Sequence, residues 1–219
     1  MIHVVTAAHN RYNITKRFVE SLKKQTAEDI HLVFVDDGCT DGTPDLIRQE
    51  IQGASILHGN GNLWWGGALH LAYRWFRDNC IPAEDYVLIT NDDTVFDENY
   101  IETGERLLRE NPGIWPVGVG FGMQSGQIRD GLFWHDAKTG EGRLLGIGET
   151  GNCASTRSIF LRVGDWMKVG GMHPILLPHY ASDFEFTIRA ARKGFILQTF
   201  AELTCFFDES STGVNEYDK

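Results

Sequence analysis

The chain has 219 residues, 42% of them hydrophobic and 11% aromatic, with a formal net charge of −10. That length and composition fit a globular protein of one domain, or one domain with a small appendage, able to bury its core without disulfides or metals. The acidic balance excludes general nucleic-acid binding, but it is compatible with an anionic small ligand held through a divalent cation.

In chain order, residues 2–6 are a short run rich in β-branched residues, and residues 14–25 follow with helical spacing at Ile14, Phe18, Val19 and Leu22. Residues 31–35 (HLVFV) predict a second strand that ends on Asp36 and Asp37. Thr43 and Pro44 open a helix through residue 50, a capping residue followed by proline in the first turn. Residues 54–57 read as a third strand, 68–79 as a helix, 86–90 (YVLIT) as a fourth strand, and 98–110 as a helix stopped by Asn111-Pro112-Gly113.

This alternation predicts an α/β fold, a mostly parallel sheet with helices on both faces. Ligands on such sheets bind beyond the carboxyl ends of the strands. Here those ends are residues 7–11, 36–41, 58–67 and 91–97, all polar or glycine-rich. After residue 113 the pattern loosens into segments such as QIRDGLFW and GRLLGIGE, which predict antiparallel strands and hairpins. Residues 182–193 predict a helix, residues 195–199 and 203–207 two closing strands, and the polar tail 211–219 is expected to be mobile. The expected organisation is one domain over 1–219, with a nucleotide-type half (1–113) and a more variable half (114–210).

No apolar run approaches the roughly 18 residues that span a bilayer, and MIHVVTAAHN has neither a basic stretch nor a cleavage site. Cys39, Cys80, Cys153 and Cys205 lie far apart without CxxC spacing, so a zinc site or disulfide framework is not expected, whereas a cytoplasmic location is.

Three clusters are candidates for chemistry. Asn91-Asp92-Asp93-Thr94 sets two carboxylates at a strand end, a hard-oxygen site suited to Mg2+ or Mn2+. The same residues read equally well as a turn or capping cluster. Asp36 and Asp37, at the end of the second strand, are placed to accept hydrogen bonds from a ribose or base, while Asp41 serves the Asp-Gly-Thr turn. In SDFEFTIRAARKGF, Ser182 is positioned to cap a helix with Asp183 in its first turn, and Phe184, Ile188 and Ala191 have an inward spacing. Asp183 and Glu185 do not share a face. That pattern is also ordinary helix design.

Together these pieces resemble glycosyltransferase family 2, the inverting sugar-nucleotide enzymes of GT-A fold, in four ordered motifs over residues 2–199. VVTAAHNR resembles the first strand and its Tyr-Asn-Arg-type turn, with His9 in place of tyrosine. VDDGCTDGT resembles the second-strand signature, and LITNDDT resembles the DxD region, with Asn91 for its first aspartate as in rhamnosyltransferase-like members. VGGMHPILLPHYASDFEFTIRAARKGF resembles the Gly-Gly segment and the acidic helix that follows it.

The resemblance implies a nucleotide seat at Ala7, His9, Arg11, Asp36, Asp37, Asn62 and Gly66, with Asp37 on the nucleobase. It implies a divalent cation, Mg2+ or Mn2+, on Asp93 with Asp92 in support, and Asp183 as general base. CFFDESSTG lacks the family's usual histidine, so Asp208 is the candidate to complete the metal shell. GNGNLWWGGA (residues 59–68) resembles the loop flanking the donor. Trp65 is expected to pack beneath the following helix, and Trp64, His179 and Glu185 to line the donor or acceptor pocket. The implied donor is a nucleoside-diphosphate sugar, dTDP-rhamnose or a UDP-sugar, and the implied acceptor a glycan or glycolipid, with at most peripheral membrane association.

Competing classes fit less well. A nucleotidyltransferase would carry a glycine-rich basic loop where this chain reads TAAHNR, and a dehydrogenase would carry GxGxxG after the first strand. A non-catalytic carbohydrate-binding module would need neither Asp93 nor Asp183.

Overall fold

A computed structural model describes residues 1–136 and 138–211 of the chain. Strands β1 (Ile2–Ala8), β2 (Ile30–Asp36), β3 (Ser55–His58) and β4 (Tyr86–Thr90) alternate with helices α1 (Tyr12–Leu22), α2 (Thr43–Glu50) and α3 (Trp64–Asp78). The four strands are parallel and lie in the order β3-β2-β1-β4. Then come β5 (Thr94–Phe96), α4 (Tyr100–Glu110), β6 (Ile114–Gly122), β7 (Ile128–Asp130), β8 (Leu132–His135), β9 (Gly142–Leu144), β10 (Thr150–Gly151) and β11 (Cys153–Ala154). β12 (Ser158–Arg162), α5 (Val163–Val169), α6 (Ser182–Arg192) and β13 (Ile196–Phe207) close the fold. The predicted tail from residue 212 onward lies outside the described residues.

β12 runs antiparallel between β4 and β6, and β13 runs parallel to β6. The main sheet thus extends as β10-β13-β6-β12-β4-β1-β2-β3, with β5 on β13 and β7 on β6. A second, three-stranded antiparallel sheet, β11-β8-β9, stands beside it.

The core follows from the two-residue period of the strands. Val5, Val33, Val35, Val87 and Ile89 face one layer, built by Leu69, Ala72 and Phe76 of α3, Trp166 of α5 and Phe186 of α6. Val4, Leu32, Phe34 and Leu88 face the other, built by Phe18, Val19 and Leu22 of α1, Ile47 of α2 and Ile101, Leu107 and Leu108 of α4. Strands covered on both sides are apolar at most positions, which is why LVFV of β2 and VLI of β4 are unbroken apolar runs. Each such side chain, fully buried, contributes about 1.5–3 kcal/mol.

Three expectations are corrected. The third helix starts at Trp64 rather than residue 68. The two closing strands are one, β13, with a register shift between Thr199 and Thr204 where the predicted break falls. The inward face of α6 carries Ser182, Phe186, Thr187 and Ala190, because Phe186 packs against Trp115 at 5.8 Å. Phe184 and Ile188 instead line a surface cleft of about 450 Å³ with His135 and Arg192. Among the described residues no helix is long and apolar enough to cross a membrane.

Candidate active site

The carboxyl ends of β1 to β4 converge on one rim. At the end of β2, Asp36 closes its own turn: Oδ1 accepts the Cys39 N–H at 2.8 Å, and Oδ2 lies 3.0 Å from Nδ1 of His58. Asp37 reaches across to the loop after β3. Its Oδ1 accepts the Gly61 N–H at 2.8 Å, and its Oδ2 accepts those of Leu63 and Trp64 at 2.9 and 3.2 Å. One buried carboxylate therefore satisfies three loop and helix-start donors that would otherwise lack partners. The approach is close enough that a Cβ on Gly59 would sit 2.5 Å from Asp37 Oδ1. His9 seals the junction from outside, its Nδ1 2.5 Å from the Asp37 carbonyl. Ala7 is half-buried beneath, and Asn62 is exposed on the loop.

Gly66 has a different place from the nucleotide-facing one expected of it. Its N–H donates to the Pro178 carbonyl at 2.8 Å, and a Cβ there would stand 2.5 Å from the Leu177 carbonyl oxygen. It is the point where α3 crosses the segment leading into α6.

After β4, Asp92 and Asp93 are buried in a network of charges. Thr15 of α1 donates its hydroxyl to Asp92 Oδ2 at 2.8 Å. Arg11, at the start of α1, bridges both carboxylates, with Nε 3.3 Å from Asp92 Oδ1 and Nη2 3.2 Å from Asp93 Oδ2. From the opposite side, Nη1 of Arg157 donates to Asp93 Oδ1, and Nε of Arg157 to Asp130 Oδ2 at 2.6 Å. The Arg157 guanidinium also lies 3.9 Å over the Phe207 ring. Burial pushes Asp92 up to about 6, against the pull of Arg11.

The third side is the start of α6. Ser182 does not cap it: its hydroxyl donates to the His179 carbonyl at 2.7 Å, and the capping position belongs to Ala181 in a left-handed conformation. Asp183 follows in the first turn, its Oδ1 accepting the Phe184 N–H at 2.9 Å. Burial, helped by the negative charge of Asp130, pushes its carboxyl up to about 6.

Trp65 is half-buried and donates its indole N–H to the Thr156 hydroxyl at 2.8 Å. Trp64 is 57% exposed, with φ of 54°, and its ring lies 5.1 Å from that of His179. Burial lowers the pKa of His179, so its imidazole is neutral at pH 7. Glu185 holds Arg189 through 2.7 and 2.8 Å contacts and lines the surface cleft beside α6. Asp208 bonds Arg17, Gln124 and Ser210 at the end of β13.

The site so assembled is a rim of backbone-anchoring carboxylates, a two-arginine, three-aspartate network and a half-buried carboxylate on a helix start, at the carboxyl edge of a parallel sheet. The sequence profile described as Glycosyl transferase family 2 matches residues 3–165. The chain belongs to glycosyl transferase family 2. No curated protein sequence matches it.

Solved structures share the GT-A fold of this family 2 chain at low identity. The mannosyltransferase PcManGT from Pyrobaculum calidifontis, in complex with GDP-Man and Mn2+, is 16% identical with a TM-score of 0.70 over 97% of this chain and 58% of its own. GalNAc-T7 with UDP, GalNAc and Mn2+ is 12% identical with a TM-score of 0.73, over 95% of this chain and 44% of its own. S. aureus TarS 1-349 is 14% identical with a TM-score of 0.72, over 94% of this chain and 60% of its own. The chain thus spans between two fifths and three fifths of these proteins.

Against the expected cation, the donor set of this family 2 chain fits poorly. Each oxygen of Asp93 already faces a guanidinium, and among the described residues no three His, Cys, Asp or Glu side chains converge to hold a metal ion.

Three site residues escaped sequence reading. Arg157, Thr156 and Asp130 come from the glycine-rich second half, where no spacing rule singles them out. The one available signal is an arginine opening the apolar run SIFLR.

Proposed function

We propose that the chain transfers a glycosyl group from a nucleoside-diphosphate sugar to a hydroxyl of a glycan or glycolipid acceptor, with inversion and with Asp183 as general base. The observation that carries this reading is the place of Asp183 in the first turn of α6, directly after Ser182, whose hydroxyl donates to the carbonyl of His179; burial raises the Asp183 carboxyl to about 6. A base is most effective when its pKa lies near the working pH. The acceptor oxygen attacks the anomeric carbon and its proton passes to Asp183. The bond from that carbon to the diphosphate oxygen breaks on the opposite face, so one displacement inverts the centre.

The nucleotide is proposed to lie along Ala7, His9 and the exposed Asn62, on the loop that Asp36 and Asp37 hold in shape. Trp64 offers a flat apolar face to the C–H surface of a sugar. The neighbours solved with Mn2+ favour a divalent cation. However, Arg11 and Arg157 already hold the Asp93 carboxylate that would bind it.

Incubation with UDP-, GDP- and dTDP-sugars, dTDP-rhamnose included, and glycan acceptors tests the reading, with product configuration followed by NMR. An inverted product is expected, and Asp183→Asn is expected to lower turnover by about 10²–10⁴-fold. A product of retained configuration, or near-native turnover of Asp183→Asn, rejects it.

A further inference from the structure

We infer that Arg157 acts as a built-in counter-charge for Asp93, so that this chain binds the diphosphate of its donor through Arg11 without a divalent cation. The inference rests on the donor reading above and departs from its metal expectation.

A divalent ion at a strand-end aspartate does two things. It cancels the carboxylate charge that would repel a diphosphate, and it presents positive charge to the leaving group. In this chain two guanidiniums are placed to divide those tasks. Arg157 is 5% exposed and ties Asp93 to Asp130 from the inner side. Its planar fork is stacked on Phe207, so it is fixed by three neighbours. Arg11 approaches from the outer side, its side chain 30% exposed against 2% for Asp93. It stands at the turn after β1, next to the His9 and Asp37 junction. Arg157 divides its charge between Asp93 and Asp130, and Arg11, which bridges Asp92 and Asp93, is the more exposed of the two guanidiniums and the one a diphosphate at the rim can reach.

A metal ion approaching Asp93 would have to enter between these two guanidiniums. Both are permanently charged, and neither can be deprotonated to make room. A dedicated Mg2+ or Mn2+ site needs several converging oxygen donors, whereas Asp92 is engaged by Thr15 and Arg11, and Asp208 by Arg17, Gln124 and Ser210.

Calorimetric titration of UDP, GDP and dTDP into the native protein, in EDTA and in Mn2+, tests this, together with Mn2+ electron paramagnetic resonance on the protein alone. The expected result is nucleotide affinity within about twofold in the two conditions, with no protein-bound Mn2+ signal. Arg157→Gln is expected to leave Asp93 and Asp130 without their shared counter-charge, giving a Mn2+ signal that Asp93→Asn removes and nucleotide affinity at least about tenfold higher with Mn2+ than in EDTA. Should that variant not fold, Arg11→Gln, at the half-exposed position, decides: about tenfold weaker nucleotide binding in EDTA is expected.

Native affinity that rises about tenfold or more with Mn2+, or a native Mn2+ signal lost in Asp93→Asn, overturns the inference and leaves glycosyl transfer standing. Unchanged binding in Arg11→Gln also overturns it. Absence of binding by any of the three nucleotides, with and without Mn2+, overturns both readings.

Discussion

The proposed role of Asp183 as base makes turnover depend on pH in a definite direction. Its carboxyl is raised from an ordinary 3.8 to about 6, chiefly by burial. As the proposed base it must be ionised to act, so turnover should rise with pH through about 6 and level off above it. Stability runs the other way. Between the two values the folded state keeps a proton that the unfolded chain has released. The stabilisation is therefore complete below about 4 and is lost as pH rises through about 6. Asp183→Asn, neutral throughout, should match the native melting temperature at pH 4 and exceed it at pH 8. A variant less stable than native at pH 8 would show that the carboxylate is held by more than burial.

The adjacent tryptophans answer to different forces. Trp65 is half-buried and hydrogen-bonded to Thr156, so Trp65→Ala should cost about 3 kcal/mol. Trp64 is exposed and holds a left-handed backbone that glycine adopts without strain. Trp64→Gly should leave the denaturation midpoint nearly unchanged while raising the KM for donor or acceptor. Equal losses of stability in the two variants would sink this division. Asn10, Trp64 and Ala181 are three of the four non-glycine residues with positive φ among the described residues. All three border the candidate site, where such strain collects.

Among the elements, α3 shows what sequence reading reaches and what it misses. Its body was legible as a helix over residues 68–79, the stretch whose Leu69, Ala72 and Phe76 are buried. Its start was not, because the cap is Asp37, 27 residues upstream of Trp64 and on another strand's end. A local capping rule sees only neighbours, and here the neighbours are asparagines and glycines. Removing that carboxylate leaves the N–H groups of Gly61, Leu63 and Trp64 without their acceptor. Asp37→Ala should cost about 2–4 kcal/mol and release the amide-exchange protection of residues 61–66 before that of the core. Retained protection there would mean that the loop is held by something other than Asp37. Arg157 was missed for the same physical reason. Its partner, Asp93, is 64 residues away and meets it only because β12 runs antiparallel beside β4.

Across the whole molecule, the expected halves, 1–113 and 114–210, do not separate in the sheet. β12, from the second half, is the antiparallel neighbour of β4, and β5, from the first, pairs with β13. The site is stitched across the same boundary by Trp65 to Thr156, Arg157 to Asp93, and Gly66 to Pro178. The first half was readable because each parallel strand and its crossover helix are contiguous in sequence. The second was not, because its short strands pair with partners that only the closed sheet supplies. A fragment ending at residue 113 would leave β4 without its β12 neighbour, exposing an apolar edge that favours aggregation. It should therefore fail to give a native-like circular dichroism spectrum. The full chain should unfold in urea as one transition, reported alike by far-ultraviolet dichroism and tryptophan fluorescence. A bound nucleotide should move that single midpoint as a whole. Two separated transitions, with nucleotide shifting only one of them, would show that the halves fold independently and that the cross-boundary contacts add little to stability.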